Sequence, residues 1–374
     1  MSRKILLSFI LSLIIIFTLA PKTYAIENPL TKPNNKVGIH ILFTSEIYEA
    51  AKLVNSSGGD WGYVTIPIQT KDHDHAKWQQ FMNESQKYHL IPILRLATDA
   101  DHNDSTSWRK PQLADIVDLA QFLDTLSWPT KNRYIIVFNE VNRGDEWGGA
   151  VDPADYADLL SFAVTVFKSK NPDYFVISAG LDNAAPSKGT SFMNEYDFMT
   201  QMNTAVPGIF NQIDGIASHS YPNPGFSQPP DADKTVGVAG FKHERDFIHS
   251  ITVKNLPIFI TETGWSSETI PADQEVKYYQ DTINNIWNDP NIVAITPFLL
   301  DARSGPFQKF SFLTATGSAT KKYAYLQELP KIKGQPAIAV RVLAAETKKD
   351  QNNQNKAGFS ISNMIQNILR LITG

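Results

Sequence analysis

Glu140 closes the run YIIVFNE (134–140), and Glu262 sits inside IFITETG (258–264). In both places bulky apolar residues, of the kind that fill a strand buried on both faces, run straight into an acid. Two carboxyl groups that face each other can divide labour at a sugar acetal. One, protonated, assists the leaving oxygen, while the other, ionised, attacks the anomeric carbon. With retention of configuration the two stand about 5–5.5 Å apart, against roughly 6.5–9.5 Å with inversion. Keeping one neutral and the other charged requires two different environments. Arg95, at the end of IPILRL (91–96), could supply the positive charge that holds Glu262 ionised. Tyr221, at the end of IDGIASHSY (213–221), could donate a hydrogen bond to the same carboxylate. Asn139, just before Glu140, is placed to bond a sugar 2-hydroxyl.

Positioning these groups requires a frame, and the chain offers eight strand-like runs. They are residues 37–43, 61–68, 91–96, 134–140, 174–181, 213–221, 258–264 and 292–300. Amphipathic segments alternate with them. Ser45 precedes a stretch whose Ile47, Ala50, Ala51 and Val54 share a helical face. Pro111, Asp152-Pro153 and Pro271 are helix openers, and residues 319–329 form a last helix after the eighth strand. Alternation of this kind over roughly 290 residues predicts an α/β fold, a (β/α)8 TIM barrel of the usual size of about 250 residues. A doubly wound open sheet usually carries a Gly-rich turn after its first strand, and ILFTSEIY has no glycine. In a barrel the chemistry lies at the carboxyl ends of the strands. Strands 4 and 7 lie nearly opposite, so Glu140 and Glu262 are expected across one cleft.

The runs IIVFNEVN, ASHSYP and IFITETGWSS together resemble glycoside hydrolase clan A, with motifs that look most like those of families 17, 5 and 39. The resemblance spans residues 37–329 and implies a retaining mechanism on a (β/α)8 barrel. Carried across, Glu140 is the acid/base, Glu262 the nucleophile, Asn139 and Arg95 supporting residues, and His219 and Tyr221 the strand-6 pair. It implies no cofactor and no metal. The clan often has Trp at the end of strand 8, where this chain offers Phe298 and Asp301. Trp61, Trp147 and Trp265 lie near strand ends or in loops and could stack on pyranose faces, with Trp61 and Trp265 taken as substrate-binding residues. The competing reading is a non-catalytic carbohydrate-binding barrel at the cell surface, which has no need of two opposed acids.

Composition narrows the class further. Of 374 residues 42% are hydrophobic and 19% charged, and there is no cysteine, so neither disulfides nor thiolate chemistry contribute. Arg3 and Lys4 precede an apolar run from Ile5 to Ala20. This reads as a signal peptide over residues 1–25, with a retained anchor as the alternative. Its removal takes the formal charge from −4 to −7 by deleting Arg3, Lys4 and Lys22. An acidic exported chain gives no sign of nucleic-acid binding. The expected partner is an oligo- or polysaccharide, met outside the cytoplasm by a secreted or cell-surface protein. The barrel is bounded at 26–330, followed by a linker and C-terminal helix over 331–374. There Ile361, Met364, Ile365, Ile368, Leu369 and Ile372 form an apolar stripe expected to dock on the barrel, with attachment to a membrane or cell surface through either terminal segment as the alternative. His40 is expected as a hydrogen-bonded interior residue, and DHDH (72–75) as a solvated helix start rather than a metal site.

Overall fold

The computed structural model describes residues 26–101, 107–231, 233–303 and 305–339. The expected signal peptide and C-terminal helix lie outside them. Eight parallel strands run β1 (Gly38–His40), β2 (Gly62–Gln69), β3 (Leu90–Ala97), β4 (Arg133–Ile136), β5 (Tyr174–Ser178), β6 (Gly215–His219), β7 (Ile258–Glu262) and β8 (Ile292–Ile295). They neighbour one another in that order, and a parallel bridge between Val37 and Ile295 brings the last strand back to the first. This is the (β/α)8 barrel expected from the alternation.

Strand alternation sorts the apolar residues into two layers. Tyr63, Ile91, Ile93, Tyr134, Ile136, Phe175, Ile177, Ala217 and Phe259 fill the barrel interior. Their neighbours one residue along, such as Val64, Leu94, Ile135, Val176 and Ile260, pack outward against the helices. The same alternation places Arg95 above Ile93 and His219 above Ala217, on the inner face at the carboxyl rim.

Eight main helices cover the outside: α1 (Ile47–Val54), α2 (His75–Lys87), α3 (Leu113–Asp124), α4 (Pro153–Lys170), α5 (Glu195–Ala205), α6 (Gly240–Ile251), α7 (Ala272–Asn285) and α8 (Lys321–Glu328). Their starts follow local chemistry. Asp74 accepts from the Lys77 N–H at 3.0 Å, so the DHDH stretch is the helix start it was expected to be. Asp152 accepts from the Asp155 N–H at 3.0 Å ahead of Pro153. Helix α3 begins at Leu113, two residues later than Pro111 suggested, where Asp115 reaches back to the Gln112 N–H at 2.7 Å. Helix α1 buries Ile47, Ala50, Leu53 and Val54, with Leu53 in the place expected for Ala51. Among the described residues no helix is long and apolar enough to cross a membrane.

The barrel floor extends further along the chain than the expected boundary at 330. Gly334 N–H donates to Asp60 O at 2.9 Å, Gln335 N–H to Pro33 O at 2.8 Å, and Ala337 O accepts from Lys131 N–H at 2.7 Å. Residues 331–339, read from the sequence as linker, therefore belong to the barrel.

Two buried acids meet outside the sheet. Glu195 on α5 and Glu244 on α6 are 1% and 4% exposed, and Ser218 Oγ donates to Glu244 Oε1 at 3.0 Å. Burial pushes the Glu244 carboxyl up to about 7; burial, then Glu244 itself, raises Glu195. An unfolded chain sheds these protons in the ordinary carboxylate range, whereas the folded one keeps them. Folding therefore binds protons, and the pair's contribution to stability falls as pH rises from about 4.5 through about 7. Glu244→Gln keeps the hydrogen bond and removes the titration. We expect its stability relative to wild type to grow across that window. Denaturant unfolding at pH 5 and pH 8 measures this, and a difference that stays flat with pH would overturn the assignment.

Candidate active site

Strand β4 stops at Ile136, so Glu140 is not strand but a turn beyond it. Phe138 and Glu140 take the left-handed backbone conformation, with φ of +69° and +37°. Such a conformation costs a non-glycine residue on the order of 1–3 kcal/mol and persists only where neighbours hold it. Here Val137 N–H donates to Ile177 O at 3.0 Å and Glu140 N–H to Gly180 O at 2.9 Å, both on or after β5. The double reversal turns Asn139 and Glu140 into the cleft.

Glu262 ends β7 and is held at both oxygens. Arg95 Nη1 donates to Oε1 at 3.0 Å, and Tyr221 OH to Oε2 at 3.1 Å. The same Arg95 nitrogen also donates to Asn139 Oδ1, so one guanidinium ties the two strand ends together. Glu140 Oε1 lies 3.0 Å from His219 Nδ1, and Glu140 Oε2 accepts from Arg143 Nη1 at 3.2 Å. The sheet register slips between Ser218 and His219, and this pairs His219 with Glu262 across β6 and β7. His219 thus stands between the acids. One oxygen of each glutamate and a ring nitrogen of His219 all lie within 4.8 Å of one another.

A glycine makes that placement possible. A Cβ on Gly180 would fall 2.2 Å from His219 Cδ2 and 2.4 Å from Nε2, so only glycine leaves room for the ring. Burial disfavours the charged imidazole, but Glu262 and the bonded Glu140 outweigh it and raise the His219 pKa.

The set Glu140, His219 and Glu262 has the donor types of a metal site. However, both Glu262 oxygens are already engaged, and a cation there would face the Arg95 charge at close range. Hydrogen-bonded acid chemistry fits these residues better than metal ligation.

Arg95, Asn139, Glu140, His219, Tyr221 and Glu262 are therefore brought together as the strand ends suggested. The tryptophans are not. Trp61 lies at the opposite, amino end of β2, where it stacks on His89 with centroids 4.7 Å apart. Trp265 is 0% exposed; it packs on Tyr279 behind β7 and donates Nε1–H to Gln228 O at 2.8 Å. Trp147 is buried between Phe138 and Tyr156. None of the three presents a face to a sugar. In each case burial of a large ring outside the cleft won over exposure near a loop.

Phe298, after β8, packs on His40 with ring centroids 5.1 Å apart. His40 Nε2 in turn lies 3.9 Å from Glu262 Oε1. His40 was expected to be hydrogen-bonded in the interior, but neither of its ring nitrogens has a hydrogen-bond partner among the described residues. Burial first, then Arg95 and His219, depress its pKa far below the ordinary range, so it is neutral. Asp301 accepts from the Arg303 N–H at 2.7 Å and serves a turn. Sequence reading also passed over Arg143, Asp145, Glu146 and Asp182, which surround Glu140. Burial, reinforced by Glu140, lifts the Glu146 carboxyl to about 7. The density of charge in NEVNRGDEW (139–147) was the available signal.

The family described as glycosyl hydrolase catalytic core matches residues 98–325. Solved structures of similar fold include a family 39 glycoside hydrolase from the gut symbiont Bacteroides cellulosilyticus WH2. It shows 17% identity and a TM-score of 0.57 over 81% of this chain, which spans 65% of that one, just under two thirds. A GH39 β-xylosidase from Caulobacter crescentus has 16% identity and a TM-score of 0.55, with 82% and 72% of the two chains covered. A Thermomonospora fusca β-mannanase, in complex with mannotriose, has 11% identity and a TM-score of 0.50, with 80% and 90% covered. No curated protein matches the sequence significantly.

Proposed function

The chain belongs to the glycosyl hydrolase catalytic core family, and from that premise we propose that it is a retaining, exported glycosidase acting on a β-linked polysaccharide. The observation that carries the mechanism is the spacing of Glu140 and Glu262, with oxygens within 4.8 Å. That is near the retaining separation of about 5–5.5 Å and short of the roughly 6.5–9.5 Å of inverting enzymes, which supports retention.

In the first step a Glu262 oxygen attacks the anomeric carbon while the bond from that carbon to the leaving oxygen breaks. Glu140 gives its proton to that oxygen. In the second step Glu140 takes a proton from water, the water oxygen bonds to the anomeric carbon, and the glycosyl–Glu262 ester breaks. Arg95 and Tyr221 hold Glu262 in line for attack and stabilise the carboxylate it becomes again on release. Asn139, fixed by Arg95, presents its amide to the sugar 2-hydroxyl.

The β-linkage is supported by the names of two proteins of like fold, a β-xylosidase and a β-mannanase. Export is supported by the charged and apolar pattern of residues 1–25. The test is product stereochemistry. NMR during hydrolysis of β-linked gluco-, manno-, xylo- and galacto-oligosaccharides should show the β-anomer appearing first, with the α-anomer growing only by mutarotation. An α-anomer formed first would reject the retaining mechanism.

A further inference from the structure

Arg143 is a guanidinium in contact with the acid/base, and its surroundings are unusual. Its Nη1 donates to Glu140 Oε2 at 3.2 Å. Its Nη2 and Nε grip Asp145 at 2.7 Å and 3.1 Å, a two-pronged pairing, and Nη1 lies 3.6 Å from Asp182 Oδ2. Asp182 is itself fixed through its backbone, since its N–H donates to Asn142 Oδ1 at 2.9 Å. Three carboxylates therefore surround one cation.

A bare guanidinium bonded to Glu140 would work against the first chemical step. Arginine donates and never accepts, so it favours the carboxylate form and disfavours the proton that must reach the leaving oxygen. Asp145 and Asp182 change that balance. They draw off the positive charge while leaving the hydrogen-bond geometry intact. We infer that Arg143, clamped by Asp145 and Asp182, is the positioning residue that aims Glu140 at the leaving oxygen, with the two aspartates offsetting the charge it brings to that carboxyl.

The other ionisable groups facing Glu140 are His219 on β6, Glu262 on β7, Arg95 on β3, and Glu146 on its own loop, with neutral His40 beyond Glu262. Tyr221 completes the ring through Glu262. None of them contacts Glu140 Oε2. That oxygen is held by Arg143 alone among the described residues.

The inference rests on Glu140 being the acid/base, and its test separates the two ideas. The pH profile of kcat/KM is measured on whichever β-linked oligosaccharide of the panel the wild-type enzyme hydrolyses. Arg143→Met removes the cation and leaves both aspartates, so the basic limb should move up by about one pH unit. Asp145→Asn strengthens the cation's hold on the carboxylate, so the same limb should move down. Arg143→Lys keeps the charge without the fork. It should hold the limb near its wild-type position while lowering kcat about tenfold through lost aim.

Opposite movements of the limb in the first two variants are not produced by a loop brace. Profiles that scale down without moving, in variants whose thermal melts match wild type, would overturn the inference. If Arg143→Met does not fold, Asp145→Asn decides the matter by itself. Failure of azide to rescue Glu140→Ala would instead sink the acid/base reading, independently of where the limbs lie.

Discussion

Glu262→Ala is expected to lose essentially all turnover, a fall in kcat on the order of 10⁴–10⁶-fold. Both oxygens of this carboxylate accept hydrogen bonds at the reacting centre, from Arg95 at 3.0 Å and from Tyr221 OH at 3.1 Å. Glu140 cannot stand in for it. Glu140 approaches from the other side of the cleft and is tied to His219 and Arg143. The fold should survive the substitution, because Arg95 keeps its bond to Asn139. Activity on the oligosaccharide panel, with a thermal melt as control, checks this. Near-normal turnover by a folded Glu262→Ala protein would end the double-displacement mechanism.

Glu140→Ala should behave differently, and the difference is diagnostic. Loss of general acid–base assistance costs about 10²–10⁴-fold on a natural glycan. An aryl glycoside whose phenol leaves unaided should still form the glycosyl–enzyme, because Glu262 is intact. The second step then stalls for want of a base. Azide needs no base and should enter the space vacated by the Glu140 side chain, restoring turnover and yielding the β-glycosyl azide. Detection of that product with Glu140→Ala, and not with Glu262→Ala, assigns the two roles. An α-glycosyl azide, or equal rescue of both variants, would reverse or reject the assignment.

The expected glycoside hydrolase and the expected (β/α)8 barrel were borne out by the family match and the strand order. Two of the site residues have positions that follow from strand alternation. Arg95 and His219 continue the inward rows begun by Ile93 and Ala217, so once the strands are recognised their aim is settled. The tryptophans were misread because a loop or strand end says nothing about which end of the barrel or which side of the sheet a ring occupies. Trp61 is one residue before β2, which puts it on the floor, and Trp265 turns outward after β7.

By itself the sequence determined the alternation of strands and helices, the eightfold barrel and the two acids at strands 4 and 7. These are consequences of local periodicity and of the order of elements, which a one-dimensional pattern records. Only the tertiary structure decided the contacts that tune the acids. The paired left-handed turns at Phe138 and Glu140, the slip that sets His219 beside Glu262, and the room that Gly180 leaves for the imidazole depend on neighbouring strands. The Arg143 clamp joins residues 143 and 145 to Asp182 on a different loop. Such contacts form between segments distant in the chain, where packing and charge select among many local conformations that the sequence pattern alone leaves equivalent.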